Sequence, residues 1–106
     1  MIDSSDIKQL LKEAWTKRGE EKYDEAQFLV KKAHGLCNEN DFNSLGRTFN
    51  VYMQFESDQD NYLKAVELSQ ISLNYYKKAN NLDRIAHSKI HIADLQNQLG
   101  KDTDSC

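Results

Sequence analysis

Tyr23-Asp24-Glu25-Ala26 and Tyr62-Leu63-Lys64-Ala65 decide the fold. Each is an aromatic residue, two variable positions and a small residue, and they stand 39 positions apart, Ala26 to Ala65. Each opens a run in which apolar side chains return every three or four positions. After the first come Leu29, Val30, Ala33 and Leu36 or Cys37. After the second come Leu68, Ser69, Ser72, Tyr75 and Tyr76, widened by Val66, Ile71 and Leu73. Such spacing places side chains on one face of a helix. It predicts helices from Tyr23 to Leu36 or Cys37 and from Tyr62 to Ala79.

The same period extends outward. Ile7, Leu10, Leu11, Ala14 and Trp15 predict a helix over about Ser5–Gly19, with Ser4 or Ser5 able to bond its free amides. Leu45, Phe49, Tyr52 and Met53 predict one over Phe42–Ser57, with Phe55 to one side. Ile85, Ile92 and Leu99 predict a fifth over Asp83–Leu99, closed by Gly100 in a left-handed conformation. Polar clusters at Asn38–Asp41, Ser57–Asn61 and Asn80-Asn81 separate them. No proline interrupts the chain and no alternating strand pattern occurs. Links of about 3–5 residues force successive helices side by side and antiparallel.

Leu45-Gly46 pairs with Ile85-Ala86, and Tyr52-Met53 with Ile92-Ala93, at an interval of 40. Two independent pairs with almost one period mark an internal repeat. At these residues the chain resembles the tetratricopeptide repeat family. Ala14, Met53 and Ala93 fall in its small slot in the first helix of each hairpin. Tyr23 with Ala26, and Tyr62 with Ala65, match its start of the second helix, and Ala33 and Ser72 match a later small position. Leu99-Gly100 is similar to its turn after the first helix. The resemblance spans two repeats, about 5–40 and 42–80, and one unpaired helix, about 83–99. The chain departs from the short form in lacking proline, in carrying Glu13 at a usually apolar position, and in exceeding the usual period of about 34. It is closer to a longer-helix variant found in bacterial sensor and regulatory proteins. The resemblance implies an all-α fold, a right-handed stack of antiparallel hairpins over residues 1–100, followed by a polar tail, 101–106.

Such stacks expose a concave surface lined by the first helix of each hairpin. The resemblance places Lys8, Leu11, Trp15 and Arg18 there from the first helix. It adds Arg47, Asn50 and Gln54 from the third, and His87, Ile90, His91 and Asp94 from the fifth. Amides suit the backbone of an extended peptide and cations suit an acidic one. The family's carboxylate clamp is not reproduced, because Leu11 and Trp15 stand where its first Lys and Asn would be. Trp15 serves either as core or as a peptide platform. The expectation is a non-catalytic module that binds a protein or peptide. Two alternatives stand beside it: a homodimer formed through the unpaired last helix by Ile90, Leu95 or the edge at Ile92, and a regulatory segment of a larger bacterial signalling protein.

Other classes fit less well. The chain carries 17 acidic and 14 basic residues, a net charge of -3, which argues against a nucleic-acid-binding domain. Apolar runs of two or three residues cannot span a membrane. The start at Met1-Ile2-Asp3 has neither a basic nor an apolar leader segment, so a cytoplasmic setting with reduced Cys37 and Cys106 is expected. His87, His91 and Asp94 step by four and three residues, a spacing open to zinc, but the HExxH pattern is absent. They read as a polar helix face, and no cofactor is expected. No phosphate loop, nucleophile triad or carboxylate pair points to an enzyme.

The repeat register makes a direct prediction. Leucine in place of Ala26 or Ala65 should overpack a hairpin and cost about 1–3 kcal/mol. Thermal melts that match the parent for both variants would refute the register.

Overall fold

The computed structural model describes the backbone of residues 4–104 and the side chains of residues 6–100. Five helices follow one another: α1 (Ser4–Gly19), α2 (Tyr23–Leu36), α3 (Phe42–Asp58), α4 (Tyr62–Lys78) and α5 (Leu82–Asp104). The fold is all-α, and consecutive helices pack against each other as antiparallel hairpins. No helix among the described residues is long and apolar enough to cross a membrane.

One turn geometry is used three times. Glu21, Asp60 and Asn80 take φ values of 63°, 65° and 56°, the left-handed region. The next residue sends its amide back five positions: Lys22 to the Lys17 carbonyl, Asn61 to Glu56 and Asn81 to Tyr76, at 2.9–3.1 Å. This pattern of bonds satisfies carbonyls at a helix end. The carbonyls of Lys22, Asn61 and Asn81 then accept the amides of Ala26, Ala65 and Ile85. One residue thus closes a helix and opens the next, which reverses the chain within three residues. The α2–α3 link is longer. Cys37 is extended, and the Asp41 side chain accepts the Ser44 amide at 3.4 Å to start α3.

The expected stop at Gly100 is overturned. α5 continues through Gly100 to Asp104, and no glycine has positive φ. Glycine within a helix costs about 1 kcal/mol against alanine but does not end it unless the flanking bonds close a cap. The backbone of 101–104 continues α5. Ser105 and Cys106 lie outside the described residues.

Two core clusters hold the hairpins. In the first, Ile7, Leu11 and Ala14 of α1 meet Ala26, Val30 and Ala33 of α2 and Val51 and Phe55 of α3. In the second, Met53, Ala65 and Leu95 join α3, α4 and α5. Phe55 is buried in the first cluster rather than set aside. The middle helix α3 packs on α1 and α2 on one side and α4 on the other, so it buries side chains around most of its circumference.

A close approach of α3 and α4 lies at Gly46. A Cβ on Gly46 would stand 2.8 Å from Cε1 and 2.9 Å from Cδ1 of Tyr76. The Ser72 hydroxyl donates to the Gly46 carbonyl at 2.7 Å. Met53 is buried as an ordinary core side chain, and Ala93 is exposed because no sixth helix among the described residues covers it. Tyr76 is buried and its neighbour Tyr75 only half-buried, as adjacent helical positions require.

The same substitution should therefore have opposite effects at two glycines. Gly35→Ala meets nothing within 4 Å. It should stabilise the protein by up to about 1 kcal/mol through helix propensity. Gly46→Ala must displace a buried ring, and its overpacking cost of about 1–3 kcal/mol should exceed that gain. Chemical denaturation of both variants checks this, and a Gly46→Ala protein as stable as Gly35→Ala would contradict the contact.

Candidate functional site

α1, α3 and α5 border one groove of about 590 Å³. Three-residue turns return the chain so that these helices present corresponding phases on one side. From α1, Lys8, Leu11 and Trp15 reach the groove, and Arg47, Asn50 and Gln54 reach it from α3. His87 and His91 complete the wall from α5. The sequence placed these eight side chains on one surface, and the structure brings them together.

Arg18 and Asp94 do not line the groove, and neither does Ile90. Asp94 is exposed, and Ile90 is 57% exposed on the outer side of α5. Of the other expected dimer-edge residues, Ile92 and Leu95 are buried, Leu95 beside Met53 and Ala65, so of the three only Ile90 is exposed. Arg18 is engaged elsewhere. Its guanidinium donates from Nε to Asp58 Oδ2 at 2.5 Å and from a terminal nitrogen to Asp58 Oδ1 at 2.8 Å. Gln54 Nε2 donates to the same Oδ1 at 3.1 Å, and the guanidinium lies 4.7 Å from the centre of the Trp15 ring. The predicted ligand-binding cation is thus a clamp between the ends of α1 and α3. It positions two groove residues, Trp15 and Gln54, because a two-bonded guanidinium holds its plane fixed.

The sequence reading missed Lys12, Val51, Tyr76, Arg84 and Ser88, which also line the groove. Lys12 lies one turn beyond Lys8, and Arg84 three residues before His87, so helical phase contained a signal for both. Tyr76 had none. It belongs to α4 and enters the groove floor only because Gly46 leaves room for its ring. Burial raises the pKa of its phenol, opposed by the positive charges of Arg84 and Arg47. At the α5 wall, His91 keeps a buried Nδ1 with no hydrogen-bond partner.

Charge on this face is one-sided. Lys8, Lys12, Arg47 and Arg84 surround the groove, and no lining residue is acidic. The ion pairs among the described residues are Lys17–Glu25, Lys22–Glu20 and Arg18–Asp58, and they include none of these four. No three His, Cys, Asp or Glu side chains among the described residues converge on a metal position.

A second cavity of about 360 Å³ opens between α2 and α4, bordered by Gln27, Lys31, His34, Phe49, Tyr52 and Leu68. Its rings satisfy one another. His34 meets Phe49 and Tyr52 edge-on at 5.3 and 5.8 Å, and Phe49 stacks on Tyr75 at 5.7 Å. The Tyr52 hydroxyl lies 3.3 Å from His34 Nδ1. Mutual contacts of this kind are packing, worth about 0.5–1.5 kcal/mol per pair.

Comparison with protein-family models, with curated proteins and with solved structures finds no match to this chain.

The Arg18–Asp58 clamp gives a pH prediction. Its hydrogen bonds from Arg18 hold the Asp58 carboxyl below its ordinary value of 3.8, against the opposing effect of burial. A depressed carboxyl contributes stability that is complete above its unfolded pKa and is lost as the pH falls through the folded value. Asp58→Ala should therefore lose about 1–2 kcal/mol near neutral pH. The difference from the parent should shrink as the pH drops below 3.8. Melting curves across that range check it, and a constant difference would contradict the clamp.

Proposed function

We propose that the chain is a non-catalytic helical-repeat module of the tetratricopeptide type that binds a segment of another protein in the groove between α1, α3 and α5. One observation carries this reading: side chains from three helices distant in sequence line a single open groove, with polar and apolar groups side by side. Asn50 makes no hydrogen bond to another described residue, so its amide is available to a peptide main chain. Trp15 is 44% exposed at the groove edge and offers a rigid apolar surface. A cytoplasmic setting agrees with Cys37, a free thiol whose pKa is raised chiefly by burial and which is therefore poorly reactive.

A second reading has its own observation. Ile90 is 57% exposed, and the exposed Ala86 and Ala93 lie one turn to either side. These alanines match Gly46 and Met53 forty positions earlier, which pack against α4. A second copy covering this face of α5 would make the protein a homodimer. Light scattering after size exclusion separates the two readings. A dimer that Ile90→Asp converts to monomer favours self-assembly.

The groove is tested by selecting peptides from a displayed random library and mapping them by amide NMR shifts. Bound peptides should perturb α1, α3 and α5 and change the emission of Trp15, the sole tryptophan. Asn50→Ala combined with Trp15→Ala should weaken them at least about tenfold, roughly 1.4 kcal/mol, with the helical spectrum unchanged. Peptides that map instead to the α2–α4 cavity would overturn the assignment.

A further inference from the structure

We propose that the natural occupant of this groove is an acidic, extended peptide segment carrying one large apolar side chain; this rests on the peptide-binding reading above and specifies its ligand. Charge carries the inference. The chain as a whole is acidic, with 17 carboxylate against 14 basic side chains. The groove inverts that balance. Four cations, Lys8, Lys12, Arg47 and Arg84, line it together with His87 and His91, and no carboxylate does. None of the four is in an ion pair among the described residues. Like charges held around one concavity repel each other, and the concave low-dielectric wall focuses their field on whatever enters. A polyanionic ligand relieves that repulsion, whereas a neutral or basic one does not.

The arrangement also sets shape. Lys8 and Lys12 stand one helical turn apart on one wall and Arg84 and His87 on the other, so carboxylates that alternate along a strand meet a cation on either side. Arg47 stands at the floor beside Tyr76, and its guanidinium is a fork able to take a carboxylate through two bonds. At the far end the Trp15 face is held by Arg18 and is the one large exposed apolar surface bordering the groove. It provides the contact for the apolar side chain. A nucleic acid is the other polyanion to consider. The protein carries a net charge of -3, a balance that argues against a nucleic-acid-binding domain.

The test uses the whole chain and three blocked ten-residue peptides. They share one Leu-Phe pair and differ in having six glutamates, six glutamines or six lysines. Titrations are followed by Trp15 emission and mapped by amide shifts. The glutamate peptide should bind at least about tenfold tighter than the glutamine one, weaken as salt screens the charges, and map to α1, α3 and α5. Lys8→Glu with Lys12→Glu should weaken it at least about tenfold. Arg84→Glu should do the same. Lys77→Glu with Lys78→Glu, which lie outside the groove, should leave it unchanged. Equal groove-mapped binding of the glutamate and glutamine peptides would overturn the acidic ligand and leave the peptide-binding reading standing. No groove-mapped binding by any of the three would overturn both. A single-stranded oligonucleotide that displaces the glutamate peptide and binds more tightly would overturn the peptide as occupant.

Discussion

Tyr76 packed over Gly46 is the contact on which the rest of the molecule depends. The ring fills the only space that a missing Cβ leaves on α3, and it brings α3 and α4 close enough for the Ser72 hydroxyl to reach the Gly46 carbonyl. Its phenol end then emerges beside Arg47 and Arg84. A single side chain therefore closes the second hairpin and forms part of the groove floor. Any side chain on Gly46 would separate α3 from α4 and tilt the floor, because close-packed interiors transmit a displacement rather than absorb it.

The turns supply the second constraint. Three of the four links use one hydrogen-bonded reversal, each with a non-glycine residue in the left-handed region. That conformation is costly for residues other than glycine, though asparagine and aspartate bear it better. It persists at Glu21 because two helices packed on both sides determine the path of the chain. The geometry sends every helix back along its predecessor, so α1, α3 and α5 share a side and their cations accumulate there. The charge asymmetry of the groove is a consequence of topology acting on helical phase.

The two cavities differ in what their walls are already doing. Around the α2–α4 cavity the rings pair with each other and with His34, so their surfaces are largely spent on packing. Around the groove, Asn50 and four cations have no carboxylate or amide partner in the described chain. Unpaired polar groups on a concave wall retain interaction capacity, and that capacity supports the groove over the α2–α4 cavity as the proposed binding face.

Much of this was legible before the structure. Period, breaks and helix number follow from local chemistry: Ala26, Val30 and Ala33, or Ala65, Ser69 and Ser72, reveal a buried face because a helix returns every 3.6 residues. The same phase argument assembled Trp15, Asn50 and His91 on one surface, and the repeat resemblance added Lys8. It ended where partners are chosen across long sequence separations. Arg18 had the phase of a groove residue, yet Asp58, forty positions on, captures it. Met53 had the phase of the small slot and is buried among Ala65 and Leu95, and Gly46, which carried no such signal, makes a close approach to Tyr76. Phe55 seemed peripheral until α1 and α2 closed over it, and Gly100 carried a stop signal that α5 passes through. The sequence by itself determined which faces are apolar and how often the chain turns, since these depend on neighbours a few residues away. Only the tertiary structure decided which charges pair, which ring enters the groove and which cations remain unpaired, since those depend on the distance between helices, a quantity set jointly by residues far apart in the chain.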